Sequence, residues 1–566
     1  MKIARRVSYN WRRRLVLGLF LLIGIGLAGR AIQLQYAEQE FLTAQGESRQ
    51  LRTVPIPASR GMLLDRHGEP LAISTPVQSV WAEPTQLIES QDRWLELARE
   101  LGLSRLKLKR LVLDRQDRKF VYLRRQVTPD LAAKITALQV PGVGLVTEYR
   151  RYYPAGAVAA QLIGGTDIDD SGQEGLELAF DARLRAQPGA RRVRQDRYGR
   201  VIDDLAQVRP PKHGENLRLG IDLWLQYRAY QELQAAVIEH RAQSGTVIVL
   251  DVITGEVLAM AQAPSFNPNG SRAAPPDRRR NRAVTDPYEP GSVMKPFTIL
   301  TALMTGIYDE NSRFDTNRGR WRIAGRFIQD IKDFGELDLG GVLIKSSNVA
   351  SARIALDLPG EALWGTLDRV GFGQPLQISY PGETVGVLRE PQHWVPVDQA
   401  ALGYGYGLSA TPLHIAQAYM VLGNRGVRQP ISFLAHPRPD GERVLPREHC
   451  DAVLRIMGKI TQPGGTAWRA RIPGYTVAAK TGTVQKLIDG AYSKRHHVAL
   501  TAGVVPARHP RLAIMVLIDS PSAGQYYGGQ VAAPIFREVA REALRLLNVS
   551  PDDREWMSRA SSGGAG

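Results

Sequence analysis

Apolar and polar positions along this chain fall into three regimes, and each predicts its own kind of structure. From Leu15 to Gly29, fifteen residues run without a charge. A helix of that length spans about 22 Å, short of the roughly 30 Å of a bilayer's hydrocarbon core. Letting Arg30 snorkel and extending to Leu34 gives twenty positions, which is long enough to cross. A polar helix is expected to continue from Ile32 to about Gln50.

The second regime mixes periods. "ASRGMLLDRHGEPLA" puts Gly and Pro at turn positions between apolar runs, so it predicts strands joined as a hairpin. Residues 85–140 are expected to be helical, because WLELARELGL and LAAKITALQ space their apolar residues by three and four. Strands and turns follow to about residue 210, where Pro210-Pro211 reads as a linker.

In the third regime the elements are longer. "LWLQYRAYQELQAAVIEH" predicts a long amphipathic helix, and "GTVIVLDVITGEVLAMAQ" a β-hairpin around Thr254-Gly255-Glu256. "YTVAAKTGT", "HVALTAGVV" and "RLAIMVLID" predict three more strands, and Val531 to Leu547 a closing amphipathic helix. Antiparallel strands with helices at both chain ends and a helical insertion between them make an α+β domain, its sheet sandwiched by helices. The expected organisation is a basic tail (1–14), a transmembrane anchor (15–34), an α+β module (35–215), a second α+β domain (216–548) and a disordered tail (549–566).

Charge sharpens the first boundary. Lys2, Arg5, Arg6, Arg12, Arg13 and Arg14 put six positive charges and no acid ahead of the apolar run. That pattern keeps the tail in the cytoplasm and exports everything after residue 35. The rival is a cleaved signal peptide, but Ala28-Gly29-Arg30-Ala31 buries a bulky cation inside the small-x-small site that cleavage needs. Without these six, 67 basic residues stand against 56 acidic ones. Arg278-Arg279-Arg280 and Arg191-Arg192 are the sort of cluster that nucleic acid attracts, yet an exported domain meets none; they read as solvated faces, or as contacts to an anionic polymer or lipid surface. A length of 566 residues and an apolar fraction of 43 % suit a globular protein of two or three domains. One cysteine, Cys450, excludes an intrachain disulfide framework and a Cys-rich zinc site.

Candidate chemistry begins at "YEPGSVMKPF". Pro290 and Gly291 favour a turn, a helix can begin at Ser292, and Pro296 then falls in its opening turn, where a missing N–H costs least. Ser292 and Lys295 share one face, and the helix start offers unpaired N–H groups to an oxyanion. A capping serine on the surface is the plain alternative. A second candidate is Ser346-Ser347-Asn348, which also reads as a cap for a helix from about Val349. The third is Lys480-Thr481-Gly482-Thr483, which also reads as a strand running into a glycine turn. Their order and spacing decide: 54 residues from Ser292 to Ser346, then 134 to Lys480. Together they form the Ser-x-x-Lys, Ser-x-Asn, Lys-Thr-Gly set of penicillin-binding proteins and β-lactamases.

On these motifs the chain resembles the class B penicillin-binding proteins, membrane-anchored peptidoglycan D,D-transpeptidases with a β-lactamase-like catalytic domain. The resemblance extends from residue 1 to about 548. It includes Arg60-Gly61 with "DRHGEPLA", "EYRRYYPAG", "GQEGLE", "RQDRYGRVI", "GYGYGLSATPLHIAQAY" and "YYGGQVAAPIF". Within the family the chain is most similar to the septal, cell-division enzymes of Gram-negative bacteria, or to a specialised paralogue of them. It departs mildly at Ala479 and Val484, where Gly and Ala are frequent.

The resemblance implies that Ser292 is the nucleophile toward D-Ala–D-Ala stem peptides and toward β-lactams, which it would bind covalently. Lys295 would take the serine proton, its neutrality favoured by the like charge of a nearby Lys480. Ser346 would pass the proton to the leaving amine, and Asn348 would hold the peptide amide and Lys295. Thr481 and Thr483 would hold the terminal carboxylate around Gly482, and the N–H groups of Ser292 and Thr483 would form the oxyanion hole. Tyr404, Tyr406, Tyr526 and Tyr527 are candidate cleft walls or packing residues. No metal or cofactor is implied. The 35–215 module becomes an elongated, non-catalytic pedestal of the dimerisation type. The implied partners are a SEDS-family glycan polymerase and other division proteins, and the implied place is the bacterial inner membrane, with a single pass and a periplasmic catalytic domain. A D,D-carboxypeptidase and a non-catalytic β-lactam-binding sensor or scaffold stay open. A β-lactamase lacks support, since no Glu-x-x-Leu-Asn segment lies between Asn348 and Lys480.

Overall fold

The structure, a computed structural model, describes residues 10–41, 51–195, 201–270, 274–436 and 439–553. Lys2, Arg5 and Arg6 of the basic tail, residues 42–50 of the expected polar helix, residues 196–200 within "RQDRYGRVI" and residues 554–566 of the expected disordered tail lie outside them. Helix α1, Asn10–Ile32, is exposed along its whole length. At 1.5 Å per residue its 23 residues reach about 35 Å. It starts five residues before the expected anchor and, with the π-turn Gln33–Ala37, is the one helix among the described residues long and apolar enough to cross a membrane. The continuation beyond it breaks at Glu38, whose carboxylate pairs with Arg30 at 3.2 Å.

The described chain condenses into two compact units, one of Met1–Ala58, Pro76–Glu148 and Ala186–His213, the other of Ser59–Thr75, Tyr149–Arg185 and Gly214–Gly566. In the first unit, Leu87, Trp94, Leu97, Leu108, Val112 and Ile135 pack the helices Trp94–Glu100, Arg105–Leu113 and Pro129–Leu138 into a core of their own. The expectation of helix throughout 85–140 is corrected here. Val121–Val127 is a strand, paired antiparallel with Gln78–Ala82, and it buries Val121, Leu123 and Val127. Its side chains alternate with the period of two that a half-buried strand requires, which the neighbouring helices masked. A three-stranded antiparallel sheet completes the unit, with Gly189–Gln195 between Leu51–Ile56 and Val201–Arg209. Within it Arg191 pairs with Asp204 across the strands at 2.5 Å.

The second unit is built on five antiparallel strands: β1 (Ser244–Asp251), β2 (Val257–Ala263), β3 (Ala478–Ile488), β4 (Ala491–Val505) and β5 (Leu512–Asp519). Their order is β2-β1-β5-β4-β3, so β3 is an edge. Strands β1, β2 and β5 are buried along their whole length, as a sheet covered on both faces demands. Helices α2 (Leu223–Glu239) and α7 (Gly528–Leu546) pack together on one face, where Thr501 of β4 donates to Gly528 O. Val504, of opposite parity on β4, meets Gly423 at the end of α5 (Pro412–Gly423) on the other face. The inserted helices α3 (Lys295–Thr305), α4 (Asn348–Asp357) and α6 (Arg447–Ile460) lie between β2 and β3 in the chain. Cys450 is buried within α6. The β1–β2 hairpin, the three later strands and both long helices stand where the hydrophobic pattern put them.

Three distant sequence stretches meet on one carboxylate in this unit. Glu177 of "GQEGLE" is fully buried and accepts from Arg60 at 2.8 Å and from Arg151 of "EYRRYYPAG" at 2.7 Å. Arg60 also reaches Asp181 at 2.7 Å, and Arg151 reaches Ser74 at 3.0 Å. The arginine runs flagged in the sequence are mostly spent on pairing, with Arg279 on Glu174 and Arg280 on Asp277 and Asp286. Removing one partner of a buried ion pair strands the others without compensation, at a cost of about 3–5 kcal/mol. Glu177→Ala is therefore expected to lower the unfolding midpoint of the full-length protein sharply in a denaturant titration. An unchanged midpoint would show that the two arginines find other acceptors.

Candidate active site

The sequence expectation of a helix starting at Ser292 is met with one refinement. Gly291–Met294 forms a 3₁₀ turn, Lys295 N–H bonds back to Ser292 O, and α3 proper begins at Lys295 with Pro296 in its first turn. Gly291 stands at φ +56°, and a Cβ there would come within 2.4 Å of Val484 on β3. Glycine is thus required both by the backbone and by the strand. Gly291 N–H donates to Gly405 O at 2.9 Å, which ties the turn to the "GYGYG" loop. Ser292 is half-buried, while Lys295 is completely enclosed.

Lys295 Nζ lies 2.6 Å from Ser346 O, 2.8 Å from Asn348 Oδ1 and 3.2 Å from Ser346 Oγ. Lys480 Nζ reaches the same hydroxyl at 2.9 Å and Thr481 O at 2.9 Å. Ser346 Oγ therefore joins two buried amines contributed by α3 and β3. Ser346 itself ends the helix Leu339–Lys345 in the left-handed region, φ +58°. Ser347 then caps α4 by accepting from Ala350 N–H at 3.0 Å. The capping reading of the second motif is correct for Ser347, and it leaves Ser346 and Asn348 free to face Lys295.

Burial is the first cause that drives the Lys295 amine well below the ordinary lysine range, and the neighbouring charge of Lys480 is the second. Asp330 pulls the other way. Lys480 is pushed down to about 7 by burial. The two short bonds of Lys295 go to atoms that can only accept, and the longer one goes to a hydroxyl that can also donate.

The third motif corrects its plain alternative, since the strand does not turn at Gly482. It continues as β3 to Ile488, with Gly482 3.3 Å from Pro290 O once a Cβ is imagined on it. An edge strand leaves one row of backbone groups unpaired, and β3 presents that row beside the Ser292 turn. Thr483 Oγ1 accepts from Gly528 N–H at 3.0 Å. The aromatic candidates fall in two pairs. Tyr404 and Tyr406 lie 5.5 Å apart beside Gly405, and Tyr404 also packs on a small cluster with Trp321. Tyr526 stacks on His497 and Tyr527 immediately before Gly528.

Three residues escaped sequence reasoning. Asp330 accepts from Ser347 Oγ at 2.6 Å and from the N–H groups of Asn348 and Val349 at 2.5 and 3.2 Å, fixing the start of α4. Glu289, one residue before Pro290, accepts from Gly407 N–H at 2.9 Å and from Tyr492 at 3.0 Å. Tyr419, fully buried, donates to Val293 O at 2.8 Å. Glu289 and Tyr419 stood inside recognised motifs; Asp330, sixteen residues ahead of Ser346, carried no local signal.

A family profile described as "Penicillin binding protein transpeptidase domain" matches residues 245–541, more than half of the chain. The chain belongs to the penicillin-binding protein transpeptidase family. A second profile, "Penicillin-binding Protein dimerisation domain", matches residues 55–219. The chain is 43 % identical to peptidoglycan D,D-transpeptidase FtsI of Escherichia coli over 96 % of its own length and 93 % of that protein. It is 38 % identical to the probable peptidoglycan D,D-transpeptidase PenA of Neisseria meningitidis over 97 % and 95 %. Among solved structures, the transpeptidase domain of Burkholderia pseudomallei penicillin-binding protein 3 matches at 35 % identity and TM-score 0.55, covering 59 % of this chain and 97 % of that one. Penicillin-binding protein 3 of Mycobacterium tuberculosis, solved with aztreonam, matches at 26 % identity and TM-score 0.69 over 88 % and 98 %.

The coupled amines make a two-sided prediction. Removing the Lys480 charge (Lys480→Met) is expected to raise the pKa of Lys295, because a like charge no longer opposes its proton. Removing the Asp330 charge (Asp330→Asn) is expected to lower it. Following the Lys295 amine by ¹⁵N NMR in lysine-labelled protein checks both signs; shifts in the same direction would refute the electrostatic account.

Proposed function

We propose that this protein cross-links peptidoglycan as a D,D-transpeptidase, through an acyl-serine formed at Ser292. The observation that carries the reading is the buried Lys295–Ser346–Lys480 cluster, whose Lys295 follows a half-exposed serine by three residues at a helix start. Its relatives named as peptidoglycan D,D-transpeptidases support the substrate class.

In this reading neutral Lys295 accepts the Ser292 hydroxyl proton as Oγ attacks the penultimate D-Ala carbonyl. The oxyanion is held by the N–H groups of Ser292 and Thr483. Losing one such donor typically costs about 100-fold or more in rate. The C–N bond then breaks, and the proton reaches the departing D-Ala amine through Ser346, the hydroxyl common to both lysines. An amine of a second stem peptide attacks the ester, forming the cross-link and returning the proton to Ser292. Thr481 and Thr483 flank Gly482 where the terminal carboxylate would lie, and Asn348 steadies Lys295 and the donor peptide. β-Lactams would enter by the same acylation and stay bound.

Helix α1, its flank of Arg12, Arg13 and Arg14 and the family support a single-pass inner-membrane protein with a cytoplasmic N-terminus and a periplasmic catalytic unit. We assign it to septal synthesis, alongside a SEDS-family glycan polymerase. Its 43 % identity to FtsI of E. coli supports this reading.

Intact mass after mixing with penicillin is expected to show a stable one-to-one adduct that Ser292→Ala abolishes. A transient adduct with penicillin consumed would make the protein a hydrolase, and no adduct would withdraw the mechanism. The acylation rate is expected to fall in acid. Lys295 with a depressed pKa is the active base above that pKa and becomes protonated, hence inactive, as pH drops through it. A rate that is flat from about pH 5 to 9 would contradict this role.

A further inference from the structure

A second cleft in the catalytic unit, away from the Ser292 turn, encloses about 630 Å³ between α7 and the segment that follows α6. Arg469 and Arg471 line it from one side, Arg537 and Arg541 from the other. Glu538 is the sole acid among its lining residues, and it is shared by Arg537 at 2.8 Å and Arg541 at 2.5 Å. Four cations thus face one anion. Arg469 leans on the Trp468 ring at 5.7 Å. The Arg471 guanidinium makes no hydrogen bond or ion pair with any described residue, although it is exposed and free to turn toward one. Ordinary surface pairing accounts for Arg537 and Arg541 and leaves the other two without an acid.

Apart from Thr461, the rest of the lining is apolar. Trp468 keeps 55 % of its surface exposed at the cleft, beside Pro463 and Ile472. A flat, open indole flanked by arginine forks suits a ligand that pairs the C–H face of a sugar ring with carboxylates. The position also counts. Gly528, at the N-terminus of α7, bonds Thr483 in the candidate site, and Arg537 and Arg541 stand nine and thirteen residues further along the same helix. At 1.5 Å per residue that is roughly 13–20 Å, a separation that one extended polymer can span.

We propose that this cleft is a second peptidoglycan-binding site, which takes the sugar rings and stem-peptide carboxylates of a strand while Ser292 is engaged elsewhere. The choice of polymer rests on the proposed transpeptidase function; the preference for an anion with a flat apolar face does not. Trp468 would stack on the sugar, and Arg471, with Arg469 and Arg541, would bind the carboxylates.

The test uses the full-length protein in neutral detergent micelles, with Ser292 first acylated by penicillin so that the catalytic cleft is closed. Soluble, uncross-linked glycan strands carrying stem peptides are then titrated in by calorimetry. Saturable binding is expected to survive acylation. It is expected to weaken roughly tenfold or more in Arg471→Ala/Arg541→Ala and in Trp468→Ala, and likewise when the stem carboxylates are amidated. The penicillin acylation rate of these variants should match that of the parent, which shows that the fold and the serine chemistry are intact. Strand binding unchanged in the double variant would overturn the proposal, as would strand binding abolished by acylation of the parent protein. A double variant that loses affinity for phosphatidylglycerol vesicles while binding strands normally would also overturn it and assign the cleft to lipid. Failure of penicillin to acylate would strike at the proposed function instead, and titration of the untreated protein would still decide the cleft.

Discussion

Two lysine amines share one serine hydroxyl inside this protein, and neither amine touches bulk water. A buried ammonium is costly unless it is paired with an acid or gives up its proton. No carboxylate bonds directly to Lys295 or Lys480 among the described residues; their partners are carbonyl, amide and hydroxyl oxygens. Such a pair relaxes by shedding charge. The depressed affinity of both amines for protons thus follows from the packing that encloses them, with mutual repulsion added for Lys295. Everything else at the site holds that enclosure in place beside an accessible serine.

Three devices hold it in place. The serine turn is pressed against edge strand β3, an approach that only a residue without Cβ permits at Gly291. Asp330 ties down the start of α4, so Asn348 can turn Oδ1 to Lys295 while its Nδ2 is held by Gln329 O at 3.0 Å. Tyr419 reaches from α5 to the backbone one residue after Ser292. Val484, one of the two mild departures from the family pattern, is the side chain that fills the space Gly291 leaves open.

The motifs outside the site are held by a comparable economy of contacts. Arg60, Arg151 and Glu177 come from stretches that read in the sequence as unrelated family signatures, and they prove to be one buried ion network. Its compensation is nearly complete, though Arg151 Nη2 and Asp170 Oδ1 stay buried without a partner. Burial raises the Asp170 carboxyl to about 6. The same physics that depresses a lysine in the Lys295–Ser346–Lys480 cluster lifts a carboxyl in the network.

Much of this protein was legible in the order of its residues. Period and turn chemistry placed the five-strand sheet, the flanking helices and the apolar N-terminal helix, because a buried face repeats every two or 3.6 residues regardless of what covers it. The three motifs were found by type and spacing. Strand Val121–Val127 was missed because two strongly helical neighbours outweighed seven residues of alternation. What the sequence could not contain was depth and direction. Lys295 and Lys480 are 185 positions apart, and nothing local shows that both are enclosed or that one hydroxyl serves them both. Like-charge repulsion, the cause that the family resemblance implied for a neutral Lys295, ranks second to burial. Asp330 and the arginine-lined cleft beside α7 belong to the same class. Proton affinity and complementarity depend on which surfaces exclude water together, and only the tertiary structure decides that.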